Sequence, residues 1–159
     1  VNQNLLAYLK SWYVQLFFWS LLLDFFTKQW AATTAINETV IDGFFYLTYS
    51  RNTGAAWSIL AGNQWLLALI SLTVGTTLLF YYLKQFPAFK VWNHLAINLF
   101  LAGTWGNFID RAFYQEGVID FLSFHFGDYI FPTFNVADSV LTIGVIILII
   151  FSVFERPTK

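Results

Sequence analysis

Residues 135–154 read "NVADSVLTIGVIILIIFSVF". The sixteen residues from Ser139 to Phe154 carry no charge. With the residues just before it, this run approaches the ~20 apolar residues that a helix needs to cross a bilayer. Asp138 stands at its threshold. Immediately upstream, residues 117–134 read "GVIDFLSFHFGDYIFPTF" and set a second acid, Asp120, among phenylalanine, isoleucine and valine. The question is what environment places two carboxylates at the rim of a lipid-compatible segment.

Composition answers the first half. Of the 159 residues, 58% are hydrophobic and 11% are charged, and mean hydropathy is +0.61. Soluble domains average about 25% charged residues, so lipid is the expected solvent for much of the surface. A net charge of −1 argues against nucleic acid, which is bound through a basic patch. The absence of cysteine excludes disulfides, thiolate metal sites and cysteine nucleophiles.

Three further apolar stretches join the one at 134–154. They cover about 11–30, 64–83 and 91–109, and backbone that must satisfy itself in lipid favours helix. The first carries Asp24 and Lys28 and is followed by no small-residue cleavage site, so it reads as a retained span and not as a cleavable signal peptide. Lys10, Lys84, Lys90, Arg156 and Lys159 fall on one side of such a topology, which puts both termini in the cytoplasm. The connection "KQFPAFK" is short, so the second and third spans form an antiparallel pair. The outer connections, 31–63 and 111–133, are longer. In "FFYLTYSRN" Phe45, Leu47 and Tyr49 alternate with Tyr46, Thr48 and Ser50, a period of two that predicts a strand with unlike faces. Asn52 to Gly54 then forms a turn, with Gly54 free to take a positive φ. A short strand around Val118–Phe121 and a turn at Gly127-Asp128 are expected in the second connection. The expected fold is an all-α integral membrane four-helix bundle with a small β-containing extracytoplasmic cap, one domain over 1–159. Trp30, Trp65 and Trp105 fall near outer span ends, and Trp12 and Trp92 near inner ones, as interfacial aromatics do.

Polar residues within spans are expensive and are usually paired or functional. Asp24 and Lys28 are four apart on one helix face. Asn107, Asp110 and Arg111 share another, and Asn135 and Asp138 open the last span. With Asp120 they converge at one depth, near the outer surface. Each also has a plainer reading. Asp24 with Lys28 forms an intrahelical ion pair, Asp110 pairs with Arg111 or caps its helix, Asn52 is a turn residue, and Asn135 is a helix N-cap. His94 and His125 fall on opposite sides, no H-E-x-x-H occurs, and Ser123 beside His125 lacks a G-x-S-x-G frame. What remains is a pair of aspartates. Held close, two carboxylates cannot both ionise, so one keeps a proton and the other acts as base toward water. That is metal-free amide hydrolysis without a cofactor. A proton-linked carrier and a noncatalytic membrane module stay open as alternatives. Against the carrier, the inner half of every span lacks charge away from its end.

The blocks "LLLDFFTK", "RNTGAAWS", "GNFIDR", "GVIDFLSF" and "FPTFNVADS" together resemble bacterial lipoprotein signal peptidase, the type II signal peptidase, in order and over all four spans. The resemblance implies a plasma-membrane aspartyl peptidase with Asp120 and Asp138 as its dyad, close to the outer leaflet surface. It also implies that Asn52, Asn107, Arg111 and Asn135 line the site, that Asp24, Lys28 and Asp110 support it, and that Gly54 sits in the cap. The implied partners are a diacylglyceryl-modified prolipoprotein, membrane lipid, and cyclic peptide antibiotics as inhibitors. One departure stands out. "AGTWGN" carries Thr104 and Trp105 where the family usually has small residues, so Trp105 is expected either to narrow the space near the dyad or to face lipid.

Overall fold

A computed structural model describes residues 3–55 and 59–154. Ala56, Trp57 and Ser58 of the block "RNTGAAWS" lie outside the described residues, as do Arg156 and Lys159, which entered the charge reading. A short helix α1 (Gln3–Leu9) precedes α2 (Trp12–Thr34), β1 (Asn37–Ile41), β2 (Phe45–Asn52), α3 (Gln64–Gln85), α4 (Val91–Phe113), β3 (Val118–Phe126), β4 (Tyr129–Ile130) and α5 (Val136–Phe154). The four apolar stretches are therefore helices, each longer or shorter than expected by a few residues. Between α3 and α4 the chain makes a single 3-10 turn at Phe86–Ala88, with Pro87 inside it. That turn is too short for anything but an antiparallel pair.

The fold is mostly helical with a small antiparallel sheet, and its polarity is inverted relative to a soluble protein. Asp24, Lys28, Asn98, Asn107, Asp110 and Asn135 are buried, while Phe18, Trp19, Leu69, Phe80, Ile149 and Val153 are exposed. Water would penalise that arrangement on both counts; hydrocarbon tolerates it. Two helical stretches, Gln64–Ala88 and Val136–Val153, are long and apolar enough to cross a membrane. Helices α2 and α4 carry more polar residues, and of these Asp24, Lys28, Asn98, Asn107 and Asp110 turn inward. The central helix is α4, packed against α2, α3 and α5. Glycines let the backbones close up, as small residues do between helices in lipid. A Cβ at Gly103 would lie 2.7 Å from the Leu141 Cβ, and one at Gly106 would lie 2.7 Å from the Asp24 Oδ2.

The two ends of the helical body differ. At one end are Lys10, Lys84 and Lys90, and Asn4 of α1 donates to the Lys84 carbonyl (3.2 Å). Just inside it, the Tyr8 hydroxyl donates to Asn98 Oδ1 (3.0 Å), Asn98 Nδ2 donates to the Tyr82 hydroxyl (3.1 Å), and Tyr82 meets His94 Nδ1 (2.7 Å). His94 is thus a satisfied core histidine. The sheet covers the other end, in the order β1-β2-β3-β4.

The outer connections depart from expectation in the length of β3 and in an additional strand, β1. Strand β3 runs to Phe126, well past Phe121, because it pairs with β2 from Asn52↔Val118 to Phe45↔Phe124. Strand β1, an exposed edge strand, carries no alternation that would mark it in the sequence. Strand β2 is present as expected; every residue is half-buried, and its two faces differ in what they touch. Leu47 and Tyr49 pack with Ala31, Ile36, Ile119 and Phe121, while on the other face Tyr46 lies against His125 and Ser50 and Asn52 turn to a cleft.

Candidate active site

Asp120 lies on β3 opposite Ser50 of β2. Its Oδ1 accepts from Asn135 Nδ2 (2.7 Å) and its Oδ2 from Asn52 Nδ2 (3.1 Å). Asn52 spends its other polar atom on the local turn, where Oδ1 accepts the Gly54 N–H (2.9 Å). The turn reading of Asn52 and its site role therefore hold together. That Asx-type bond also closes the bend without left-handed backbone. Gly54, expected to take a positive φ, is not among the described residues that do so.

Asp138 stands in the first turn of α5. The Asp138 N–H donates to Asn135 Oδ1 (2.9 Å) and the Asn135 N–H to Asp138 Oδ2 (3.3 Å). This is a reciprocal capping box with asparagine at the cap and aspartate three residues on. The remaining oxygen, Oδ1, accepts from Asn107 Nδ2 (2.7 Å). Asn135 therefore binds both acids, one through its side-chain nitrogen and the other through its side-chain oxygen and backbone N–H. Its Nδ2 also reaches Asn107 Oδ1 (3.1 Å) and the Ile119 carbonyl (3.2 Å). Asn135 is fully buried, so this geometry has little freedom.

Beneath the two acids lies an ionic cluster. Lys28 Nζ contacts Asp24 Oδ2 (2.7 Å), Asp110 Oδ2 (3.0 Å) and Asn107 Oδ1 (3.1 Å). The expected Asp24–Lys28 pair is present, but Asp110 pairs with Lys28 and not with Arg111. The reason is helical phase: Asp110 faces α2, whereas Arg111, 100° further round, faces the cleft. Each acid of the cluster also fixes backbone. Asp24 Oδ1 accepts the Ala137 N–H at the start of α5 (2.7 Å), and Asp110 Oδ2 accepts the Ile119 N–H beside Asp120 (3.3 Å). The strand and helix that carry the two acids are thus tied to one buried cation.

The acids open on a cleft of about 820 Å³. Asn52, Asn107, Arg111, Asp120 and Asp138 line it, along with Phe131, Pro132, Phe134, Leu141 and Ile143. Arg111 Nη2 donates to the Gly54 carbonyl (3.2 Å), while its buried Nε has no hydrogen-bond partner. Burial and the charge of Asp138 push the Asp120 carboxyl up to about 7, against the smaller opposing pull of its Asn52 and Asn135 donors and of Lys28. Asp120 thus keeps its proton to a higher pH than an ordinary aspartate does.

Two features were not legible in the sequence. Gln64, opening α3, donates from Nε2 to the Arg111 carbonyl (3.0 Å) and to the Tyr114 carbonyl, closing the end of α4. Its only signal was an amide at the head of an apolar run. Thr142 lines the cleft one helical turn after Asp138, a face the i, i+4 spacing could have revealed. Trp105 does not narrow the space near the dyad, and its side chain is half-buried. Its ring packs toward Gly75 of α3 and edge-on to Phe108, away from the cleft. Ser123 and His125 do touch (3.1 Å), but neither lines the cleft.

A helical body with an apolar exterior, whose one end holds two linked carboxylates in a cleft, has the makings of a membrane enzyme that works by acid–base chemistry. The comparison with known proteins is specific. A family model described as Signal peptidase (SPase) II matches residues 16–154, and the chain belongs to that family. It is 50% identical over 111 residues to a lipoprotein signal peptidase of Bacillus pumilus, covering 70% of each chain. It is 43% identical over 120 residues to a lipoprotein signal peptidase of Bacillus velezensis, covering 76% of this chain and 77% of that one. A solved structure described as a bacterial membrane enzyme, obtained by the in meso method at 2.3 Å, superimposes with a TM-score of 0.80 at 35% identity, over 92% of this chain and 93% of that one.

Proposed function

We infer that this chain, a peptidase acting on lipoprotein signal peptides, uses Asp120 and Asp138 as its catalytic pair. The activity follows from the family and the named relatives. The observation that carries the residue assignment is Asn135, whose Nδ2 donates to the Asp120 carboxylate while its backbone N–H donates to the Asp138 carboxylate. Asp138 serves as the base, since its oxygens face donors at the positive end of α5. It takes a proton from water as the water oxygen attacks the scissile carbonyl carbon. Asp120, protonated, donates to the carbonyl oxygen. The tetrahedral intermediate then collapses: the carbon–nitrogen bond breaks, the leaving amine takes the proton from Asp138, and Asp120 recovers its proton from the diol oxygen as the product carbonyl re-forms. Arg111 and Asn52 supply donors toward the substrate backbone or the developing oxyanion.

The membrane placement belongs to the same reading. Residues 1–159 form one domain in which α2, α3, α4 and α5 span the plasma membrane. Lys10, Lys84 and Lys90 mark the cytoplasmic end, so the cleft opens near the outer leaflet, where the acyl chains of a diacylglyceryl-modified substrate lie in lipid. The apolar cleft wall of Phe131, Phe134, Leu141 and Ile143 supports that substrate. The test is to make Asp120→Asn and Asp138→Asn singly and assay a lipidated prolipoprotein in detergent. Each is expected to lose turnover by at least ~10²-fold, since each removes an acid–base partner. A folded variant with near-normal turnover would refute the assignment.

A further inference from the structure

Helix α5 has two unlike faces below the cleft. One packs on α4 through a small residue: a Cβ at Gly144 would lie 2.7 Å from the Ala96 carbonyl oxygen. The other face begins at Asp138. At about 100° per residue, Asp138, Thr142, Ile146, Ile149 and Val153 fall within an arc of about 80°. Asp138 and Thr142 line the cleft, and Ile146, Ile149 and Val153 are exposed. The cleft wall therefore runs on into an open apolar track along α5, which carries no charge from Ser139 to Phe154.

Past Asp138, Thr142 is the only polar residue in that arc. It is exposed, and its hydroxyl has no partner among the described residues; it does not turn back on the Asp138 carbonyl four residues earlier. Ser139, the other α5 hydroxyl at the cleft, is spent on the Asn135 carbonyl (2.9 Å). A hydroxyl left unpaired in apolar surroundings is unfavourable, so this place favours a ligand that brings an acceptor.

Chain direction indicates which ligand does so. With Lys10, Lys84 and Lys90 at the cytoplasmic end, α5 runs inward from Asp138, and Thr142 lies about 6 Å further in at ~1.5 Å per residue. The basic N-terminal end of a signal peptide stays on the cytoplasmic side, so its apolar segment reaches the cleft by its C-terminal end. A helix that ends there leaves its last carbonyls without intrahelical partners, and at membrane depth they need donors. The bond to be cut must itself lie outside the helix to meet both acids. About 6 Å is the reach of two extended residues at ~3.3 Å each.

We propose that the apolar segment of the substrate's signal peptide lies as a helix along the α5 track, and that the Thr142 hydroxyl donates to a free carbonyl at its end and so fixes the register of the cut. Two extended residues span from that carbonyl to the one attacked between Asp120 and Asp138. The carbonyl bound by Thr142 is therefore that of the third residue before the cut. Thr142 binds substrate and takes no part in proton transfer.

This rests on the catalytic pair and the membrane placement proposed above, and the experiment separates them. The probe is a synthetic prolipoprotein peptide with a diacylglyceryl cysteine, assayed in detergent. It is made once with all amides and once with an ester in place of the amide that follows the third residue before the cut, because an ester carbonyl is the weaker acceptor. Thr142→Val keeps the shape and removes the donor; Thr142→Ser keeps the donor. On the all-amide peptide Thr142→Val is expected to lower kcat/KM about fivefold, the net worth of one hydrogen bond, and Thr142→Ser to regain most of that loss. The ester is expected to cost the parent protein a similar factor and Thr142→Val nothing further. Both variants should melt within about 2 °C of the parent, since the position is exposed. Parent-like kcat/KM in Thr142→Val overturns the proposal. So does a loss that Thr142→Ser fails to regain, or an ester penalty of the same size in both proteins. In those cases inactive Asp120→Asn and Asp138→Asn proteins leave the catalytic pair standing. Turnover in those two variants overturns the pair, and with it the register argued from it.

Discussion

Lys28→Met puts the sharpest strain on this reading of the site. Lys28 is 1% exposed and is the one cation among Asp24, Asp110 and Asn107, at 2.7, 3.0 and 3.1 Å. Methionine keeps most of the volume and removes the charge, leaving Asp24 and Asp110 buried without a counterion. Breaking a buried ion pair by removing one partner costs about 3–5 kcal/mol, most of it the penalty of the stranded charge. For a chain of this size each kcal/mol moves Tm by about 2–4 °C, so the expected drop is roughly 6–20 °C, measured by tryptophan fluorescence during heating in detergent. The triple variant Asp24→Asn, Lys28→Met, Asp110→Asn strands no charge and is expected to recover at least half of that drop. Turnover in Lys28→Met should fall as well, at temperatures where the protein is folded, because the Ala137 and Ile119 backbone ties run through the two acids. A melting temperature within ~2 °C of the parent would show that the cluster is not the keystone argued here. A triple variant as unstable as the single one would show that stranded charge is not the cause.

The Asp120 carboxyl is raised from 3.8 to about 7, so kcat/KM should hold at pH 5–6 and decline above an apparent value near 7, as a pH–rate profile would record; a flat profile to pH 9 refutes the proton-donor role. The stability linkage has the same sign. A folded value above the unfolded one gives a contribution fully present below about 3.8 and lost as pH rises through about 7, which denaturant titrations across that window would read as a falling midpoint. Asn135→Ala removes the Nδ2 donor to Asp120 and the Oδ1 cap on the Asp138 N–H; kcat is expected to fall at least ~10-fold and stability by about 1 kcal/mol from the cap alone, with the kinetic loss well beyond what the unfolding midpoint explains. Gly103→Ala drives a Cβ to 2.7 Å from Leu141, forcing α4 and α5 apart at a cost of about 1–3 kcal/mol, visible as a lower melting temperature and lower turnover.

The four helices and the one-ended gathering of polar groups were legible in the sequence, because both depend on signals that survive without neighbours. A long uncharged run such as Ser139 to Phe154, close to lipid-spanning length, has few other uses, and an acid at its threshold stands out against it. Asn135 could be read as a cap for the same local reason. What was not legible depends on angles between elements. Asp110 and Arg111 are adjacent in the chain, where a mutual pair or a helix cap is the local expectation; only the phase of α4 against α2 sends the first to Lys28 and the second to the cleft. Trp105 turns to Gly75 because α3 leaves room there, which no local pattern records. Strand β1 has no alternation to reveal it and exists because β2 offers an edge. The pairing of Asp120 with Asp138 is likewise tertiary. Eighteen positions apart, each is an ordinary loop or cap residue by itself, and only the packing of β3 across the mouth of α5 brings Asn135 between them. Burial then lets Asp120 keep its proton to a higher pH than an ordinary aspartate does, and no spacing in the sequence encodes a desolvation.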